Sequence, residues 1–162
     1  MAPAKAAAGS ASKPRPLSNR KSQPTDRIAH DRRFLRTLSP AECFDLLEPG
    51  GIGRVGISAA EGVIILPVNY AVKGRAIIYR TAPDTLLALH VNTQVSFEVD
   101  HCDENLHEGW SVLVQGRAHE VTDEHEVRQL EETDLKPWAP GARDVYVRLA
   151  ATEISGRCIQ PS

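Results

Sequence analysis

Cysteine is scarce in this chain and poorly placed for structural chemistry. Cys43, Cys102 and Cys158 are odd in number, far apart and free of any C-x-x-C spacing, which argues against a disulfide framework or a structural zinc site and points to a reducing cytoplasm. Long apolar runs are missing too. No stretch approaches the ~18 residues of a membrane helix, and the N-terminus has lysines and alanines without the apolar core of a secretory signal, so neither a membrane nor export is expected. No G-x-S-x-G string is present, which leaves hydrolysis without support. Large apolar side chains are almost absent from Met1 to Arg27, a stretch of Ala, Ser, Pro, Lys and Arg that cannot bury enough surface to offset the entropy of ordering its backbone. Residues 1–30 are therefore expected to be a disordered basic tail, and residues 31–162 a single domain.

Charge divides along the same line. Met1 to Arg36 holds nine Lys or Arg against two Asp, while the remainder holds ten against nineteen acidic residues. The folded part is acidic, so it is not expected to bind nucleic acid, which would need cations clustered on a structured face; the tail could still touch polyanions. His101-Cys102-Asp103-Glu104 with His107 crowds a short polar stretch that lacks the scaffold to fix a coordination geometry, and reads as a solvated loop rather than a metal site.

What is present is mostly β. Ser39-Pro40-Ala41-Glu42 has a hydroxyl N-cap, a proline at the first helical position and a carboxylate at the third, which predicts a short helix to about Leu47, stopped by Pro49-Gly50-Gly51. Strands are expected at Ile52 to Ser58, Val63 to Val72, Ala76 to Thr81, Gln94 to Asp100, Gly109 to Val121 and Asp144 to Glu153. A short helix through His90 and another from Asp123 to about Glu132 fall between them. The prediction is a mainly β protein: a six-stranded antiparallel barrel with short flanking helices.

Two places invite a ligand. In GWSVLVQGRA, Gly109 to Ala118, the residues Trp110, Val112 and Val114 fall on one face and Ser111, Leu113, Gln115 and Arg117 on the other, a mixture suited to a strand that borders a slot. Arg80 and Thr81 end a strand and offer a guanidinium fork and a hydroxyl to a phosphate, although a solvated strand-end arginine is the simpler reading of the residues alone. Pro67 inside a strand signals an edge or bulge, with Val68, Asn69 and Tyr70 beside it. The only tryptophans, Trp110 and Trp138, suit covering a flat ring or ordinary packing.

RVGI (Arg54 to Ile57), LPVNY (Leu66 to Tyr70), YRTAPDT (Tyr79 to Thr85), FEVD (Phe97 to Asp100), GWSVLVQGRA, PWAPG (Pro137 to Gly141) and ISGR (Ile154 to Arg157) occur in this order. Together they resemble the pyridoxamine 5'-phosphate oxidase-like family of flavin-binding split β-barrels, in its nitroimidazole-resistance-like branch. The resemblance implies an FMN-dependent oxidoreductase acting on a small molecule, a homodimer with its cofactor sites at the subunit interface, and a cofactor set of Pro67, Val68, Asn69, Tyr70, Arg80, Thr81, Ala82, Thr85, Leu86 and Trp110. A deazaflavin is an alternative cofactor, and haem occurs in related barrels. The sequence also departs from its relatives: many have a T-A-P-G-T-K-like string where this chain reads TAPDTLL, with Asp84 for the glycine and Leu86 for the lysine. One cation is lost and one anion added, which leaves open a cofactor-poor barrel acting as a ligand-binding or sensor protein.

Overall fold

The computed structural model describes residues 33–133 and 135–161; the expected disordered tail lies outside them. Seven antiparallel strands and three short helices follow in the order β1 (Arg33–Leu38), α1 (Pro40–Leu47), β2 (Gly51–Ala59), β3 (Gly62–Lys73), β4 (Ala76–Thr81), α2 (Leu86–Leu89), β5 (Gln94–Asp103), β6 (Glu108–Glu120), α3 (Glu124–Glu131) and β7 (Val145–Pro161). The strands are ordered β1-β7-β4-β3-β2-β5-β6, and β6 pairs again with β7. The expected six strands thus close a ring from β2 to β7, and β1 is a seventh strand added to the outer half of β7.

The extra strand explains the two largest differences from the sequence reading. The last strand does not stop at Glu153 but runs to Pro161, because its second half, Gly156 to Pro161, is paired by β1 in the register Leu38↔Gly156 to Arg33↔Pro161. Alternation of Ile154, Gly156 and Cys158 continues the inward face, and a bulge between Gln115 and Gly116 lets β6 follow the bend. β5 likewise extends to Asp103, in register with Glu108, so half of the expected polar loop, His101 to Glu108, is hairpin strand around a turn at residues 104–107.

Every second residue of the ring faces the core. Val55 and Ile57 of β2, Val68 and Tyr70 of β3, Ile77 and Tyr79 of β4, Phe97 of β5, Val112 and Val114 of β6 and Leu149 of β7 are buried together, with Cys43 and Leu47 of α1 plugging one end. A smaller cluster lies outside the ring, where Ala76, Ile78 and Tyr146 are covered by Leu130 of α3 and by Leu135. Arg148 on β7 pairs with Glu126 of α3, and Lys73 of β3 donates to Gln129 at 3.1 Å, so α3 is held against the β4–β7 side.

The predicted capping box is present. Ser39 N–H and its hydroxyl donate to Glu42 Oε2 at 2.8 and 2.7 Å, Glu42 N–H donates back to Ser39 Oγ, and Arg36 of β1 reaches Glu42 Oε1 at 2.7 Å. The backbone N–H of Ser39, then its hydroxyl, then Arg36 hold the Glu42 carboxyl down to about 2. Because the folded value lies below the ordinary carboxylate value of 4.5, this link stabilises the fold fully above about pH 4.5 and is lost as pH falls toward 2. Acid titration of the melting temperature should show a weaker decline across that window in Glu42→Gln than in the wild type; an unchanged decline would remove Glu42 from the acid response.

Candidate functional site

The β3–β4 register, Tyr70↔Tyr79, sorts the expected site residues onto two faces. Tyr70 and Tyr79 point into the core, so Val68 and Thr81 do as well, whereas Pro67, Asn69 and Arg80 point outward. Burial agrees: Tyr70, Val68 and Thr81 are buried, Pro67 is exposed, and the Arg80 side chain is about one quarter exposed at 25%. The outward trio lies on adjacent strands and forms the candidate site.

Arg80 is fixed by β7 and the loop before it. Its Nε–H donates to the carbonyl of Arg143 at 2.8 Å, its guanidinium carbon lies 4.8 Å from the centre of the Tyr146 ring, and Nη2 is 3.9 Å from the exposed carboxylate of Asp144. The fork is therefore held over an aromatic face with one N–H engaged. Its two Nη groups carry the remaining donors that a phosphate would use. None of these partners was legible in the sequence, because Arg80↔Tyr146 is a pairing between elements more than sixty residues apart.

The two threonines have a different task. Thr85 Oγ1 donates to the carbonyl of Ala82 at 2.9 Å and accepts from Ala88 N–H, as the N-cap of α2. With its own proton engaged, Thr85 must accept at its 2.6 Å contact with Thr81 Oγ1, so Thr81 is the donor there. Both hydroxyl protons hold the β4–α2 corner, and Thr81 is fully buried. Ala82 is half-buried beside them, and Leu86 is 40% exposed at the start of α2. A lysine at Leu86 would have reached solvent from the same rim.

Tyr70 packs edge-on against Phe97 with ring centres 5.0 Å apart, and burial pushes its phenol up to about 12. Burial pushes the Tyr79 phenol up further. Both stay neutral across the physiological range and offer no acid or base.

Trp110 is not brought to Arg80 within one chain. It pairs with Cys158 on β7, whereas Arg80 pairs with Tyr146 on the same strand, roughly 40 Å away along β7 at ~3.3 Å per residue. Its ring packs against the end of the main core. Trp110 also lines a groove of about 390 Å³ with Gly109, Ser111, Leu35, Asp100, Arg157 and Ile159; Arg80 is not in its walls. The tryptophan that does reach the trio is Trp138, whose backbone N–H donates to Asn69 Oδ1 at 2.9 Å.

The model of the pyridoxamine 5'-phosphate oxidase family matches residues 39–158, from the cap of α1 into the outer half of β7. The chain belongs to this family. An uncharacterized Mycobacterium tuberculosis protein is 39% identical to it over 87 residues, which cover 53% of this chain and 77% of that protein. The structure of an FAD binding protein from Mycobacterium smegmatis is 32% identical, superposes with a TM-score of 0.63 and aligns over 78% of this chain and all of its own (100%). A candidate 5-nitroimidazole antibiotic resistance protein from Bacteroides thetaiotaomicron shares the fold at 14% identity, with a TM-score of 0.58 over 82% of this chain and 95% of that one. In this family member the barrel follows the expected pattern, and Asp84 and Leu86 are both exposed at the β4–α2 connection.

Proposed function

We propose that the chain is a flavin-dependent oxidoreductase that holds FMN by its phosphate on Arg80, with the ring lying along the outward side of β3 at Pro67 and Asn69. The observation that carries this reading is Arg80 itself: a guanidinium pre-set by Arg143 and Tyr146, with its Nη donors turned to a partly open surface. A preorganised fork loses less entropy on meeting a phosphate than a free one. The donor set fits a phosphate through one strong cation. The FAD binding relative at 32% identity supports a flavin nucleotide, since FAD contains the whole of FMN. When bound, a flavin supplies the redox chemistry, and the protein supplies orientation and charge. The substrate is a small molecule, and the three cysteines, all free, suit a cytoplasmic protein.

The site is proposed to be completed by a second copy. The outward side of β2 and β3 exposes Val63 (71%), Ile65 (63%) and Ile52 (43%) next to Pro67 and Asn69, an apolar surface continuous with the trio. At its centre Arg54 joins Glu98 at 3.0 Å and Asp100 at 2.5 Å. A partner on this face would enclose the ring. Sedimentation at micromolar concentration is expected to show a dimer; a monomer would count against an interfacial site.

The second reading, a cofactor-poor binding or sensor protein, is favoured by the exposed Asp84 and Leu86; a deazaflavin is the alternative cofactor under the first reading. Calorimetric titration with FMN and with riboflavin separates the cases. FMN is expected to bind at least tenfold more tightly, because only FMN has the phosphate. Equal affinities would detach Arg80 from the phosphate, and no binding of either would favour the second reading.

A further inference from the structure

Trp138 is 78% exposed, yet its backbone is pinned. Its N–H is bonded to Asn69 Oδ1 at 2.9 Å, and the same loop is tied at its other end by the carbonyl of Arg143 on Arg80 Nε at 2.8 Å. Arg143 Nε closes the loop internally on the carbonyl of Ala139 at 3.4 Å. Pro137, Pro140 and Gly141 fill the stretch with residues that set turns, and prolines limit its alternatives. A stiff loop fastened to the two outward site residues therefore presents a large apolar ring that has little packing in its own chain. A flat heteroaromatic ring on the outward side of β3 would meet this indole, and stacking would remove both from water.

We propose that Trp138 covers the flavin ring and that Asn69 is the positioning residue that sets the indole in place through the Trp138 N–H. The assignment rests on the reading of Arg80 as the phosphate contact. It gives the Asn69 side-chain oxygen a role as acceptor of the Trp138 backbone N–H rather than as a direct cofactor contact, and it leaves Trp110 to packing within its own protomer.

The test is a fluorescence titration of FMN into the full chain, reading both affinity and the emission of the bound flavin, since a stacked indole quenches flavin emission. The wild type is expected to bind FMN with strongly reduced emission. Trp138→Ala should weaken FMN about tenfold, in line with base–aromatic stacks elsewhere. Trp138→Phe should restore most of the affinity while leaving the bound flavin several-fold brighter. Asn69→Ala should weaken and brighten in the same direction, and should add nothing in a Trp138→Ala background. Wild-type affinity in Trp138→Ala, or unchanged quenching in Trp138→Phe, overturns the proposal while leaving Arg80 standing. Dissociation of the dimer by Trp138→Ala with quenching intact makes Trp138 a subunit contact instead, which also overturns it. Failure of the wild type to bind FMN overturns this proposal and the Arg80 reading together.

Discussion

Arg80→Ala is expected to abolish measurable FMN binding at micromolar concentration. The phosphate would lose its main cation and stand beside Asp144, at a cost of about 2 to 4 kcal/mol, or roughly thirtyfold to several-hundredfold in affinity. The Arg143 carbonyl also loses its donor and Tyr146 its stacked cation, so a modest drop in melting temperature should accompany the change. Arg80→Lys separates the two effects, because it keeps the charge and gives up the fork. It should recover part of the affinity but not the geometry. Leu86→Lys works in the opposite direction. A new cation at a rim position that is 40% exposed gains only about 1 kcal/mol after screening, so FMN should tighten by about fivefold. Titrating wild type and all three variants checks the ordering Leu86→Lys, wild type, Arg80→Lys, Arg80→Ala. Wild-type affinity in Arg80→Ala would place the phosphate elsewhere.

The second large effect concerns the fold. Gly116→Ala should cost more than 3 kcal/mol and leave little folded protein, because a Cβ there would overlap the carbonyl oxygen of Ala150 on β7. The obstacle is backbone, at the bulge where β6 follows β7 to close the ring, and it can relax only by opening that pairing. Gly56→Ala is the contrast. Its Cβ would meet Ser96 at 3.8 Å, an ordinary contact on the outward side, so its stability should change by less than about 0.5 kcal/mol. Urea unfolding of the two variants tests this; similar midpoints would mean that the bulge tolerates a side chain.

The sequence made the inner wall of the barrel legible because its signal is local. Val95, Phe97 and Val99 alternate with polar neighbours, and all three are buried in the structure. β1 was hidden because Phe34 and Leu35 sit among arginines at the end of a basic stretch, and what makes them a strand is pairing with residues 159 and 160, at the other end of the chain. The end of β7 was hidden for the same reason. At the candidate site, the strand-end position of Arg80 could be read locally, whereas its fixing by Tyr146 and Arg143 could not. Thr81 looked like a phosphate donor because its residue type allows it; the 2.6 Å contact with Thr85 commits its proton to the corner instead. The residues alone left either tryptophan able to cover a ring and the resemblance placed Trp110 in the cofactor set, whereas the backbone bond from Trp138 to Asn69 is what ties the other tryptophan to the candidate site.

The visible absorbance spectrum of the purified protein, recorded after incubation with FMN and removal of unbound cofactor by desalting, tests the central claim most directly. The account predicts the two absorption bands of an oxidised flavin at near-stoichiometric intensity in the wild type and their loss in Arg80→Ala. A wild-type protein that emerges colourless would contradict it.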